Sequence, residues 1–285
     1  MIYVKLQGGL GNQMFQYAAG LRLARKHGTR LGLEAKSYRR DKLRRYGLDV
    51  FNISGNVLSP PKPWQLKAIS RRLFDRRGTL TDGSKPEHWL EGANGLKFDA
   101  KILAAPDNVC LSGYFQSEKY FADIKDEVRQ EFTLQLPLGA AAEAMRKRME
   151  AMHSVSLHVR LTDYRTDPIT FPQPLEYYLN CARRIREQLD DVHFFVFSDE
   201  PAWVAANLKL PGTATHVPAN NDYQGIHDLW LMSRCRHNII SNSTFSWWAA
   251  WLNPHPAKRV CSPKRWFRDA NHDSLERIPE NWQLV

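Results

Sequence analysis

The sequence has few cysteines and lacks the spacings that mark zinc ribbons and disulfide frameworks. Its four cysteines are spread over 285 residues without a CxxC pair; they are Cys110, Cys181, Cys235 and Cys261. This pattern fits a reducing compartment. Long apolar runs are absent too: none approaches the roughly 20 residues that cross a bilayer, and no secretory signal is recognisable. We therefore expect a cytoplasmic protein.

Motifs that hold metals or nucleotides through familiar spacings are also absent. There is no Asp-x-Asp, no HExxH and no histidine–carboxylate cluster, so we expect neither a metal nor another cofactor. No G-x-x-x-x-G-K-[ST] run exists, which excludes a P-loop site. The early glycines fail the dinucleotide pattern, because Met14 stands where its third glycine belongs. A nicotinamide-dependent enzyme is thus disfavoured.

The excess positive charge lies in the first half of the chain. Residues 1–150 contain 26 Lys and Arg against 16 Asp and Glu, which accounts for the net charge of +10. Twelve of these basic residues lie between Lys36 and Arg77, with three acidic ones. The simplest interpretation is a solvated basic surface; the sharper ones are peripheral contact with an anionic membrane, on its inner face, or with a polyanion. Without a nucleic-acid motif or a base-stacking platform, we expect no nucleic-acid partner.

The hydrophobic pattern predicts an α/β fold. A strand, a glycine turn at residues 7–13, a helix and a second strand open the chain as a βαβ unit. After residue 150, apolar strands alternate with helical stretches, as in a parallel doubly wound sheet. These strands are predicted at residues 155–160, 193–198, 214–217, 238–241 and 259–261. Residues 37–95 are irregular, with one predicted basic helix at 64–77.

This pattern indicates two Rossmann-like domains facing each other across a cleft. We place the first domain at residues 1–150 and the second at residues 151–262, with a ligand in the cleft. Residues 263–285 form a tail that we expect to pack back on the first domain.

Three strand ends in the second half carry side chains suited to a phosphate. His158, Arg160 and Asp163 follow the strand at 155–160, and a guanidinium fork there suits a phosphate. Taken alone, they are more simply a surface Arg–Asp pair beside a core histidine. Asp199 ends the next strand, where it could accept hydrogen bonds from a base or sugar. It could also cap the helix that begins at Pro201.

The third strand end leads into a helix. Asn242, Ser243 and Thr244 precede a run of apolar residues, and hydroxyls with free N–H groups at a helix N-terminus favour phosphate. We interpret Trp247, Trp248 and Trp251 as core rather than as a sugar platform. The early glycines form either a plain turn or a loop that brings Asn12 close to a ligand. Together, these features suit a metal-free nucleotide-sugar site.

Four long motifs resemble, in order, those of the α-1,2-fucosyltransferases of glycosyltransferase family 11. They are Gln7-Gly-Gly-Leu-Gly-Asn-Gln-Met-Phe-Gln-Tyr-Ala18, His158-Val-Arg-Leu-Thr-Asp-Tyr164, Phe197-Ser-Asp-Glu200 and Ser241-Asn-Ser-Thr-Phe-Ser-Trp-Trp-Ala-Ala-Trp-Leu252. Two further stretches also match the family pattern, Gly113-Tyr-Phe-Gln-Ser-Glu-Lys-Tyr-Phe121 and Met232-Ser-Arg-Cys-Arg-His-Asn-Ile-Ile240. Residues 36–101 carry no such resemblance.

The resemblance implies a GT-B fold, with the acceptor on the side of the first domain and the GDP-sugar bound by the second. It also implies a GDP-L-fucose donor and inverting, metal-independent transfer to the 2-hydroxyl of a galactose-terminated or lipid-linked glycan. It implies that Arg160 contacts the β-phosphate, that His158 lies beside the nucleotide and that Asp199 reads guanine or ribose. The remaining donor-binding residues implied are Gly9, Gly11, Asn12, Asn242, Ser243, Thr244, Phe245 and Ser246. The catalytic candidates are Arg160, Asn12 and Asp163, and the acceptor base stays open because Asp163 is better suited to orient Arg160.

One departure and two alternatives remain. The family commonly carries His-x-Arg-Arg-x-Asp, and Leu161 replaces the second arginine here, so we expect one charge fewer near the diphosphate. The alternatives are a GT-B transferase for another nucleotide sugar, and a non-catalytic module that binds GDP or a glycan.

Overall fold

The computed structural model describes residues 1–41, 43–58, 88–91, 97–137, 139–219, 225–273 and 275–285. These residues separate into two compact units, Met1–Leu136 and Pro137–Val285. The boundary thus lies in the Leu-Pro-Leu-Gly stretch, not at residue 150. The helix at residues 140–150 belongs to the second unit because it buries Met149 and packs on another helix of that unit.

The first unit contains a parallel sheet with the strand order β3-β2-β1-β5-β4 among the described residues. Its strands are β1 Ile2–Lys5, β2 Leu31–Glu34, β3 Asn56–Val57, β4 His88–Glu91 and β5 Val109–Ser112. Its helices are α1 Leu10–Lys26, α2 Ala100–Leu103 and α3 Lys125–Glu131. The predicted basic helix at residues 64–77 lies outside the described residues.

Helix α1 begins earlier than the sequence predicts. Gly9 is its N-cap in an extended conformation, so Gly11 and Asn12 belong to the first helical turn rather than to a loop. At the other end Gly28 adopts a left-handed conformation with φ of 60°, as expected for a glycine that ends a helix. The glycine turn is therefore short, and it joins β1 to α1 at the carboxyl end of the sheet.

The second unit contains a parallel sheet with the described order β11-β10-β9-β6-β7-β8. Its strands are β6 His153–Val159, β7 Val192–Ser198, β8 Thr213–His216, β9 His237–Ile239, β10 Val260–Ser262 and β11 Gln283–Leu284. Its helices are α4 Ala140–Glu150, α5 Leu175–Arg186, α6 Pro201–Asn207, α7 Ile226–Arg234 and α8 Thr244–Leu252. Both sheets are parallel, as the strand–helix alternation predicts.

The C-terminal tail belongs to the second unit, and its predicted packing on the first domain stays a prediction. Strand β11 pairs with β10, and the carbonyl of Arg277 accepts a hydrogen bond from the Trp247 indole at 2.9 Å. The ring of Trp282 lies 5.4 Å from that of Trp247. Trp247, Trp248 and Trp251 are buried, which confirms their interpretation as core. The tail packs against Trp247 because this contact removes apolar surface of the tryptophans from water.

Each sheet has a topological switch point where the chain reverses its direction of strand addition. In the first sheet β2 and β3 extend from one side of β1, and β5 lies on the other. In the second sheet β7 and β8 extend from one side of β6, and β9 lies on the other. Ligands of open α/β sheets bind at the carboxyl ends of the strands flanking such points. None of the helices in the described part of the chain is long and apolar enough to span a membrane.

Candidate active site

Arg160 follows β6 at the switch point of the second sheet and is held on both sides by carboxylates. Its Nε and Nη2 both donate to Oδ1 of Asp163 at 2.9 Å, and its Nη1 lies 3.3 Å from Oδ2 of Asp199. The side chain is 27% exposed, so a ligand can still reach it. A guanidinium fixed in this way keeps its orientation without a bound ligand, which lowers the entropy cost of binding a phosphate.

Asp199 holds the loop that follows β6. Its carboxylate accepts hydrogen bonds from the N–H groups of Leu161 and Thr162, each at 3.0 Å, and from the Thr162 hydroxyl. Burial by itself would raise the pKa of Asp199, but the charge of Arg160 and these hydrogen bonds lower it, so the group is ionised at neutral pH.

The alternative role of Asp199, capping α6, is not what the structure shows. The N-cap of α6 is Glu200, and its N–H donates to the Ser198 hydroxyl at 3.0 Å. A carboxylate has about four acceptor positions, and those of Asp199 are engaged by residues 160–162. Recognition of guanine or ribose by Asp199 stays a prediction, since a nucleotide would have to compete with these donors.

His158 precedes Arg160 by two residues, near the carboxyl end of β6, and is buried. Its Nδ1 lies 3.1 Å from the Ser241 hydroxyl, and its ring lies 5.7 Å from that of Phe245. Burial, reinforced by the positive charge of Arg160 and opposed by Asp199, lowers the pKa of His158 to about 4. The imidazole is therefore neutral at physiological pH, and it links β6 to the segment after β9.

Helix α8 begins beside this histidine at the end of β9. Ser243 is its N-cap, with no hydrogen bond from a backbone N–H to its side chain, and no acidic residue lies in the first turn. Thr244 and Phe245 are half-buried, and the hydroxyl of Ser246 turns inward to the Ser243 carbonyl at 3.3 Å. The positive end of the helix dipole and its first N–H groups thus favour an anion at Ser243 and Thr244.

Asn242, directly before the N-cap of α8, connects several loops by hydrogen bonds. Its Nδ2 donates to the main-chain carbonyls of Phe171 and Trp266, each at 2.9 Å. The main-chain carbonyl of Asn242 accepts a hydrogen bond from the Tyr164 hydroxyl at 3.1 Å. The side chain is only 2% exposed. Asn242 therefore ties together the loops around the carboxyl ends of β6, β9 and β10, and donor contact by its side chain stays a prediction.

Leu161, the residue directly after Arg160, is buried. Its side chain is buried in the core of the second unit with Val159, Tyr178 and Val204. Only its N–H points to the site, where it bonds to Asp199. The side chain at this position therefore fills the core, and one charge fewer near the diphosphate stays a prediction.

The predicted residues of the first half lie together at the end of β1. Gly8 has a φ of +76°, and a Cβ on it would meet Asn12 Nδ2 at 2.6 Å. The Oδ1 of Asn12 accepts a hydrogen bond from Gln116 Nε2 at 2.9 Å. Gly9 is the N-cap of α1 and Gly11 lies in its first turn. Because neither residue has a side chain, the backbone is accessible at this edge of the first sheet.

The described part of the basic segment borders this turn. The Tyr38 hydroxyl donates to the Gly8 carbonyl at 2.9 Å, and Arg44 would contact a Cβ on Gly9 at 3.9 Å. Asp41 accepts hydrogen bonds from the N–H groups of Leu43 and Arg44, forming a turn on which Leu43 is 73% exposed. Basic and apolar groups thus share one surface of the first unit.

The sequence matches a known protein family. The model of Glycosyl transferase family 11 matches residues 92–282, two thirds of the chain. The chain belongs to glycosyl transferase family 11. The alpha-1,2-colitosyltransferase of Escherichia coli is 28% identical, with 100% of this chain and 99% of the relative covered. The O-antigen biosynthesis glycosyltransferase WbnK of Escherichia coli is 33% identical, covering 96% and 97%.

A solved structure supports the fold of this family 11 glycosyltransferase. NodZ alpha-1,6-fucosyltransferase soaked with GDP-fucose matches with a TM-score of 0.52 at 17% identity, covering 89% of this chain and 92% of NodZ. At that identity the likeness concerns the fold alone. The predicted GT-B-like α/β fold is thereby confirmed.

Four residues that complete the local geometry of this glycosyltransferase were not predicted as site residues. They are Thr162, Tyr164, Ser241 and Gln116. Each lies inside a motif that marks the family, but its task depends on a partner far away in sequence, as with Ser241 and His158. A polar residue at or near the carboxyl end of a predicted strand is a signal that could have identified Ser241 and Thr162.

Proposed function

We propose that this glycosyltransferase moves L-fucose from GDP-β-L-fucose to the 2-hydroxyl of a galactoside, with inversion. The observation that carries the proposal is the arrangement at the switch point of the second sheet. There Arg160, held by carboxylates, the neutral His158 and the N-terminus of α8 follow or end neighbouring parallel strands, and these groups suit a diphosphate. Family membership and the four motifs that resemble α-1,2-fucosyltransferases support the donor and the linkage.

In the proposed reaction the acceptor hydroxyl attacks C1 of fucose while the bond from C1 to the β-phosphate oxygen breaks. The hydroxyl proton is released to water or to the departing diphosphate. Negative charge then develops on GDP. Arg160 and the N–H groups at the start of α8 stabilise that charge, and because they are already oriented they need little reorganisation. His158, being neutral, can hydrogen-bond to the nucleotide without adding a charge.

The proposed role of Asp163 is to orient Arg160 rather than to act as base. Its Oδ1 is shared by two guanidinium nitrogens, which weakens it as a proton acceptor. We assign no other base, since a diphosphate leaving group reduces the need for one. We also propose that no metal takes part, because cationic and dipolar groups of the protein face the developing charge.

A second donor is favoured by one specific observation. The full-length similarity to an alpha-1,2-colitosyltransferase points to GDP-colitose, whose sugar is L-fucose without its 3-hydroxyl. The deciding experiment supplies the purified protein with GDP-fucose, GDP-colitose and UDP-galactose against a panel of galactosides, with and without EDTA. We expect α-1,2-linked fucoside and no effect of EDTA. Turnover of GDP-colitose alone would replace the donor, and GDP binding without turnover would indicate a non-catalytic module.

We further propose that the basic surface of the first unit brings the enzyme to its acceptor. Within the described residues, Lys36, Arg39 and Arg40 are exposed beside the protruding Leu43. Basic side chains with an apolar tip suit the headgroup region of an anionic membrane, where a lipid-linked glycan acceptor would lie.

A further inference from the structure

The switch point of the first sheet brings two polar side chains into contact. The glycine turn and α1 follow β1, and a turn at residues 113–117 follows β5, its parallel neighbour. Because both loops leave the sheet at the same edge, Asn12 meets Gln116 although 104 positions separate them. Gln116 is 7% exposed and Asn12 is half-buried, so a ligand would reach Asn12 more readily than Gln116.

The hydrogen bond between them determines which end of the Asn12 amide is available. Gln116 Nε2 donates to Asn12 Oδ1 at 2.9 Å, which occupies the acceptor end of the amide. The donor end, Nδ2, lies against Gly8, where there is no Cβ to displace it. Within the described residues, no hydrogen bond engages this Nδ2. Asn12 therefore presents N–H groups, not a carbonyl, to a ligand.

The turn that carries Gln116 has an unusual backbone. Phe115 has a φ of 50°, a left-handed conformation that bulky residues rarely adopt, and the Ser117 N–H donates to the Phe115 carbonyl at 2.8 Å. The Phe115 ring is 1% exposed and packs edge-on against Tyr120, with the ring centroids 5.4 Å apart. Such strain persists where the surroundings over-determine it, and it concentrates at functional sites. The turn is thus a rigid support for Gln116.

We propose that Gln116 is a positioning residue that orients the Asn12 amide for the transfer reaction. The inference rests on the proposed function, because Asn12 matters only if the first unit contributes to transfer. The Asn12 Nδ2 then donates to an oxygen of the sugar nucleotide or acceptor. Without Gln116, the amide rotates freely and spends part of its time with the wrong end forward.

The test compares two substitutions of Gln116 with a matched control. Gln116→Ala frees the amide, and we expect kcat to fall about tenfold with little change in donor KM or melting temperature. Gln116→Glu replaces a donor by an acceptor, so Asn12 should turn its Nδ2 inward and lose at least as much. Gln135→Ala is the control, because it removes a similar bond, from Gln135 Nε2 to Asn52 Oδ1 at 2.6 Å, on the exposed surface. It should keep wild-type kinetics.

Two further measurements separate positioning from mere support of the fold. In an Asn12→Ala background, Gln116→Ala should cause no additional loss. The activity of Gln116→Glu relative to wild type should rise as the pH falls, because a protonated carboxyl again donates to Asn12 Oδ1. Additive losses, a pH-independent ratio or an effect confined to melting temperature would overturn the inference. An inactive wild type would overturn the proposed function as well, and this is seen before any variant is made.

Discussion

At the scale of single residues, the second unit orients one guanidinium with two carboxylates. Asp163 and Asp199 hold Arg160 from different sides, and Asp199 also fixes the backbone of residues 161–162. These half-buried pairs add little stability by themselves, because desolvation offsets much of their attraction. Their consequence is geometric: the cation and its loop are in place before a ligand arrives.

Arg160→Ala should lower kcat by about 100-fold or more, because the main cationic group facing the leaving phosphate is lost. Arg160→Lys should restore only a part, since an ammonium cannot reproduce the fork held by Asp163 and Asp199. Steady-state kinetics with GDP-fucose measures both. Arg183→Ala, which breaks an exposed pair with Glu176, serves as control and should match wild type. Near-native turnover of Arg160→Ala would refute the assignment.

Asp199→Asn distinguishes the two roles of this carboxylate. If Asp199 holds the loop, the variant should lose several-fold in kcat and some thermal stability, while its preference for GDP over UDP sugars stays the same. If Asp199 reads guanine, that preference should collapse instead. Comparing kcat/KM for the two nucleotides, together with a melting curve, decides between them.

His158 makes stability depend on pH in a predictable direction. Its folded-state pKa of about 4 lies below the value of about 6.5 expected in the unfolded chain. Between these values the unfolded state binds a proton that the folded state does not. The free energy of unfolding should therefore fall as the pH drops from 6.5 to 4, by on the order of 3 kcal/mol from this residue. Urea titrations of His158→Asn should show a shallower decline, and an unchanged slope would contradict the burial argument.

At the scale of elements, a negative charge at the N-terminus of α8 should have opposite effects on helix stability and on diphosphate binding. A negative charge in a first helical turn stabilises the free helix, yet it repels a bound diphosphate. Thr244→Asp should therefore keep or slightly raise the melting temperature and weaken GDP binding about tenfold, as measured by calorimetry. Ala140→Asp places the same charge at the start of α4 and should leave GDP binding unchanged. Equal affinities for the two variants would mean that no phosphate lies at α8.

Helices and long strands could be predicted from the sequence, but short edge strands could not. Helix α8 begins where the sequence predicts a helix N-terminus, because the polar residues 242–244 precede an apolar run. By contrast, β3 and β11 are two residues long, and nothing local distinguishes them from loop. They are strands because a neighbouring edge offers hydrogen-bond partners, which is a property of the assembled sheet.

At the scale of the whole molecule, charge is divided between the two halves of the chain. The excess of basic residues lies entirely in residues 1–150, and the rest of the chain is balanced. Such a distribution affects association with anionic surfaces rather than the fold.

Reversing the charge of Lys36, Arg39 and Arg40 together should abolish binding to vesicles that contain anionic lipid. The wild type should bind them at low salt and release them as ionic strength rises, because these contacts are screened. Sedimentation with vesicles of anionic and of neutral lipid measures this. Reversing Arg183 and Arg184 on α5 is the control and should bind as wild type does. Wild-type binding that is absent or insensitive to salt would contradict the proposal.

The sequence by itself determined the parallel α/β class, the tryptophan core of α8 and the candidates for phosphate binding, because periodicity and strand-end polarity are local properties. Only the tertiary structure decided where the side chains of these candidates are directed. It placed Leu161 in the core, engaged Asp199 with the loop after β6, assigned Asn242 to bracing and hydrogen-bonded Gln116 to Asn12. These outcomes depend on partners tens of residues away, brought together by strand order. Strand order is set by the packing of whole sheets and not by any one stretch of chain.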